Sequence, residues 1–263
     1  MKKIIFFIAA LAFWLTTTSC IRKAQDVYGP KVTKSYKVAN FDAISLSVDA
    51  EVQFIQDATT SIQITGPENK LANLQIATNG SELSIKPNKS SRFYDRWIGT
   101  GNEGEYSLKI YIHSPLLQRV TVTGSGDFFC KTPVHSQNFT GCIIGSGTLN
   151  AANITAENTE FSVSGSGDIS VDDLQSASAN VSITGSGDVD INGQHIAKST
   201  FSVSGSGDTK LHLKQCGNVE ATVTGSGDIV ISGDVDTLKQ NGNGSGEIEI
   251  SLSLINISHC PTK

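Results

Sequence analysis

The tripeptide Gly-Ser-Gly begins at residues 124, 145, 165, 185, 205, 225 and 244, at spacings of 21, 20, 20, 20, 20 and 19 residues. A fixed period of this length marks a solenoid, in which each repeat buries its apolar side against its neighbours. The flanks alternate. Phe161 and Val163, Val181 and Ile183, and Phe201 and Val203 precede the glycines; Ile169 and Val171, Val189 and Ile191, and Ile229 and Ile231 follow them. Apart from Thr209, every second residue is apolar, with mostly Ser, Thr and Asp between, which is the period of a strand and not of a helix. About twenty residues per turn is one coil of a parallel β-helix, whose equivalent strands pair ~4.8 Å apart. If the triplet lies on the strand path, its glycines share the inward parity, where a missing side chain lets the backbone bend or approach its neighbour.

The residues after the triplets are Asp127, Thr148, Asp168, Asp188, Asp208, Asp228 and Glu247. Stacked carboxylates repel by under ~1 kcal/mol in water, so something should offset them. Backbone N–H groups at a turn are one answer. Calcium held by Asp168, Asp188, Asp208 and Asp228 is the other, although each coil offers one carboxylate at this place.

Residues 36–123 keep the alternation without the triplets, as in Ile44, Leu46 and Val48, or Leu108, Ile110 and Ile112. They read as irregular coils that begin and cap the solenoid, followed by regular repeats over 124–247 and closing strands over 248–257. The body of the fold is thus 36–257, and 20–35 is a tether. Residues 1–19 are an export signal: Lys2 and Lys3, the apolar run Ile4 to Leu15, then small residues before Cys20. Cys20 is the expected lipidation site and mature N-terminus, although Thr17 stands where a Leu is usual; an ordinary secretory signal or an uncleaved anchor is the alternative. Lipidation would make this an outer-membrane lipoprotein, facing the periplasm or the cell surface, with the membrane as its first partner.

Four cysteines remain, Cys130, Cys142, Cys216 and Cys260. An oxidising compartment permits two disulfides in three pairings, of which Cys130 with Cys142 is the expected bond. Their spacing carries no metal or redox signature. With 20 basic and 25 acidic residues, the chain lacks the positive balance a nucleic-acid partner requires.

Phe41-Asp42-Ala43-Ile44, the strand Val52 to Ile55, Gly66-Pro67-Glu68-Asn69-Lys70-Leu71, Leu83-Ser84-Ile85 and the Gly-Ser-Gly-Asp copies from Gly124 together resemble the auto-transporter adhesin head GIN-domain family of exported Bacteroidetes lipoproteins. The resemblance covers roughly 36–250. It implies an all-β fold, a single-stranded right-handed parallel β-helix, and it brings no catalytic residues and no cofactor.

One loop stands out. Arg92, Phe93, Tyr94, Asp95, Arg96 and Trp97 concentrate aromatic and charged groups in a chain that is 7% aromatic. Such a loop binds sugars or cations through ring faces and acids through Arg, or it is a lid in which Phe93 and Trp97 cover the flank of the helix. Polysaccharide-cleaving chemistry needs paired carboxylates or a carboxylate cluster with calcium and a base, and the outward Ser, Thr and Asp stripe offers no convergent set. Asp236-Thr237-Leu238 matches a short O-glycosylation signal at Thr237, or is an ordinary turn. The expected role is non-catalytic, an adhesin binding glycan or an envelope or host surface protein; a structural envelope role and a polysaccharide-processing enzyme are the alternatives.

Overall fold

The computed structural model describes residues 29–88, 107–252 and 256–259. The described strands join into one hydrogen-bonded sheet, wound as a parallel β-solenoid of about 7 turns with roughly 20 residues per turn. The regular windings are built from β8 (Arg119–Gly124), β9 (Asp127–Cys130), β10 (Val134–Gly145), β11 (Thr148–Ala151), β12 (Ile154–Gly165), β13 (Asp168–Gly185), β14 (Val189–Gln194), β15 (Lys198–Gly205), β16 (Thr209–Gly225) and β17 (Ile229–Gly244). Strands β18 (Ile248–Leu252) and β19 (Asn256–His259) add a last parallel layer to β17.

Alternation becomes columns. Val163 is level with Ile143 one winding before and Ile183 one winding after, and the row continues through Val203 and Val223. A second row runs Leu149, Ile169, Val189, Thr209, Ile229. Both rows are buried, and each aliphatic side chain so placed stabilises the fold by about 1.5–3 kcal/mol. Size is traded between layers. The row Val120, Gly141, Phe161, Val181, Phe201, Ala221 contains a glycine because a β-carbon at Gly141 would lie 3.0 Å from the Phe161 ring and 2.5 Å from Leu149. The vacated space lets the Phe139 and Phe161 rings meet at 5.9 Å between centroids.

The glycine triplets stack in register from Gly124 through Gly145, Gly165, Gly185, Gly205 and Gly225 to Gly244. From Gly145 onward both glycines of a triplet press against their counterparts one winding below, and the first has a further reason. The first turns the corner with a positive φ in every triplet but the last, 134° at Gly185. The second is the one that faces inward, and it lies against the glycine one winding below it. The serine between them is exposed, and its N–H donates to the first glycine's carbonyl one winding earlier, as in Ser186 to Gly165 at 2.8 Å.

The N-terminal end is threaded out of order. Strands β2 (Ala43–Leu46) and β3 (Ala50–Gln56) form a winding that lies between two later ones. On one side β2 pairs with β6 (Glu82–Pro87) and β3 with β7 (Leu108–Ser114); on the other, β2 pairs with β8 and β3 with β9. The chain therefore steps past its own first winding between β7 and β8, where the Gln118 N–H donates to the Asp42 carbonyl at 2.6 Å. Beyond β6 and β7 the parallel stacking stops. Strand β5 (Leu74–Asn79) pairs antiparallel with β6, β4 (Ser61–Pro67) with β7, and β1 (Lys31–Tyr36) with β4. A short helix α1 (Glu68–Ala72) follows β4 and buries Leu71 beside Gly66 and Leu108.

The expected Cys130–Cys142 disulfide is not formed; both are free thiols. Cys130 points inward from β9, level with Phe54 and Ala151, whereas Cys142 points outward from β10, level with Thr121 and Ser162. Opposite faces of different strand stacks keep their sulfurs apart. Burial pushes the Cys130 thiol up to about 12, so it behaves as a small core hydrophobe.

Candidate binding groove

Strands β10, β12 and β13 bend midway. Pairing runs through Ser136 and Ala156, skips one residue, and resumes at Asn138 and Asn158. The bend opens a groove of 690 Å³ along the solenoid axis. One wall is the row Asn138, Asn158, Ser178, Lys198; the other is Thr140, Glu160, Asn180, Thr200. Phe139, Thr159 and Ala179 form the floor.

The first wall is pre-arranged by its own hydrogen bonds. Asn158 Nδ2 donates to Asn138 Oδ1 at 3.0 Å, and Ser178 Oγ donates to Asn158 Oδ1 at 2.7 Å. Below them Ser176 Oγ donates to the Ser178 carbonyl at 2.7 Å, and Thr159 Oγ1 to the same carbonyl at 3.2 Å. Each amide in the chain thus has a fixed orientation, with donor and acceptor capacity left over for a ligand. The groove offers amides and hydroxyls once per winding, ~4.8 Å apart, with Glu160 and Lys198 as its charges. Glu160 is the groove's one carboxylate, so the acid and base pair that hydrolysis of a glycosidic bond requires is not assembled there. What the lining can do is hold an extended polyhydroxylated chain.

The acidic row is arranged for a different purpose. Asp168 Oδ1 accepts the N–H of Asp188 at 2.9 Å, Asp188 that of Asp208 at 2.8 Å, Asp208 that of Asp228 at 2.9 Å, and Asp228 that of Glu247 at 2.8 Å. Each carboxylate supports the backbone of the next winding, which offsets the repulsion along the row. The chain of acceptors begins at Asp168 because Thr148 interrupts it: the Asp168 N–H donates to the Gly147 carbonyl instead, and Thr148 Oγ1 donates to Asp127. Among the described residues no cluster of three His, Cys, Asp or Glu could hold a metal ion.

Thr237 lies within the regular strand β17, and its hydroxyl donates to Asn218 Oδ1 at 2.6 Å. Cys20, the loop from Arg92 to Trp97, and Cys260 lie outside the described residues. The structure brings together residues that sequence reasoning passed over: Asn138, Asn158, Ser178 and Lys198 each stand seven positions before the first glycine of a triplet. That shared offset was the available signal. Among the described residues, no helix is long and apolar enough to cross a membrane.

The model of the family described as "Putative auto-transporter adhesin, head GIN domain" matches residues 40–215 and 184–257. No curated protein matches the chain. Among solved structures, a putative adhesin from Bacteroides fragilis is similar with a TM-score of 0.71 at 23% identity, covering 84% of this chain and 97% of its own. A putative lipid binding protein from Parabacteroides distasonis gives 0.66 at 22% identity, covering 88% and 97%. A putative adhesin from Parabacteroides merdae gives 0.64 at 20%, covering 84% and 97%. At such identities these likenesses establish a shared fold.

Proposed function

The chain belongs to the auto-transporter adhesin head GIN-domain family, and from that membership we propose that it is a non-catalytic adhesin of the bacterial envelope. In this reading Cys20 carries the lipid, residues 20–35 form the tether, and the solenoid is held at the outer membrane as a rigid binding body. The ligand is a glycan chain lying along the groove. The observation that supports this most directly is the hydrogen-bonded row from Asn138 to Ser178, whose one-winding repeat presents oriented polar groups to an extended polymer.

The test is a glycan array probed with the lipid-free protein, followed by calorimetry on each hit. Asn158→Ala and Asn180→Ala should weaken a groove ligand at least tenfold with an unchanged melting temperature. The triple variant Phe93→Ala, Tyr94→Ala, Trp97→Ala separates the loop's two roles: lost affinity at constant stability assigns it to binding, and lost stability assigns it to a cover. An array without hits, for a folded protein, would leave the structural envelope role. Mass spectrometry of the mature N-terminus reads the lipid on Cys20 directly.

A further inference from the structure

A second recess, of 630 Å³, lies across the antiparallel end of the solenoid and is built on different chemistry. Ser35 of β1, Gln63 of β4 and Tyr111 of β7 are level with one another, and Ser61 faces His113. Lys37 lines it beyond the end of β1, while Tyr36, level with the buried Ile62, turns its ring toward the core. The recess therefore combines the Tyr111 phenol ring, an amide, an ammonium group and an imidazole.

The imidazole is held in place. His113 Nδ1 lies 2.5 Å from Asp57 Oδ2, while Asp57 Oδ1 accepts both the N–H and the hydroxyl of Thr59, at 2.7 and 2.6 Å. Those bonds keep Asp57 ionised, and its contact with Nδ1 fixes the orientation of the ring. Neither the Lys37 nor the Gln63 side chain has a hydrogen-bond or ion-pair partner among the described residues. An oriented imidazole beside an uncommitted ammonium and amide, with the Tyr111 ring alongside, is a set of groups suited to a sugar ring that carries a negative charge.

We infer that the recess formed by Ser35, Lys37, Gln63, Tyr111 and His113 binds a carboxylated pyranose, a hexuronate residue of an acidic polysaccharide. Lys37 pairs with the carboxylate, a phenol ring packs against the apolar face of the sugar, and Gln63 and His113 Nε2 take its hydroxyls. The inference rests on the adhesin reading in that it supposes a glycan ligand, but it uses none of the groove residues.

The experiment is calorimetry on the lipid-free full chain with a galacturonate trisaccharide and, separately, a neutral galactose trisaccharide. The unaltered protein should prefer the charged ligand at least tenfold. Lys37→Gln, an exposed change, should reduce that preference to within twofold, and Tyr111→Ala should weaken both ligands; Asn158→Ala should change neither. No binding of the galacturonate trisaccharide, or binding that survives both Lys37→Gln and Tyr111→Ala, overturns the assignment. Sensitivity to Asn158→Ala alone would overturn the recess and leave the groove standing. An empty glycan array would count against the broader adhesin reading instead.

Discussion

Gly187 lies so close to Gly167 that a β-carbon placed on it would stand 1.9 Å from the Gly167 carbonyl oxygen. The obstructing atom belongs to the backbone, which is pinned on both sides by the solenoid's ladder, so it cannot rotate away as a side chain would. Gly187→Ala should therefore destabilise by about 3 kcal/mol, the upper end of overpacking costs. Gly242 is the control: it stands in the same type of strand with nothing within 4 Å of an added β-carbon. Gly242→Ala should stay within about 0.5 kcal/mol of the parent protein. Denaturant midpoints at constant slope compare the two.

Thr209 occupies a core row between Val189 and Ile229, and its hydroxyl is buried without a hydrogen-bond partner. A valine of similar shape removes the unpaired oxygen and keeps the packing. Thr209→Val should stabilise by about 1 kcal/mol, the scale set by an unsatisfied buried hydroxyl. Calorimetric melting would show a rise of about 2–4 °C for a domain of this size.

Asp208 supports the backbone N–H of Asp228 at 2.9 Å. Asn keeps an oxygen acceptor in that place and Ala does not. Asp208→Ala should cost about 1 kcal/mol, and Asp208→Asn clearly less. Because the carboxylates are engaged with backbone rather than gathered in a cluster, millimolar calcium should leave the melting temperature of the parent protein unchanged; an upward shift that Asp208→Asn abolishes would revive cation binding along the row.

Hydrogen bonds from the Thr59 side chain, from His113 and from the Thr59 backbone hold Asp57 at about 2. An unfolded chain releases this constraint and returns the group to about 3.9. A depressed native value contributes stability that is fully present above about pH 4 and lost as pH falls through 2. Melting curves over that interval should therefore fall more steeply for the parent than for Asp57→Asn, with parallel curves above it. Equal slopes throughout would remove the Asp57 contribution.

The glycine corners and apolar columns were legible because a strict period places residue i on residue i+20. Val163 and Ile183 could be stacked from the numbering alone. Two things escaped. Alternation says which way Ile44 and Val52 point but not which strand lies beside them, so the placement of β2–β3 between later windings had no sequence signal. The recess escaped for the same reason: Ser35, Gln63 and Tyr111 are joined by antiparallel pairings across 28 and 48 positions, with no motif linking them. The cysteine pairing failed because closeness in sequence says nothing about face, and Cys142 has the parity opposite to Cys130. The groove lay between these cases, visible as a polar column but lacking the aromatic signature that drew attention elsewhere.

The out-of-order threading bears on how the molecule is made. Every strand flanking β2 and β3 is encoded downstream of them, so one side stays unpaired until β6 and β7 are made and the other until Cys130 has been synthesised. The repeats, whose neighbours follow directly in sequence, can zip together as they emerge. That winding is thus closed only after the chain has passed it on both sides, and arrest before residue 119 would leave it with an open, adhesive β-edge.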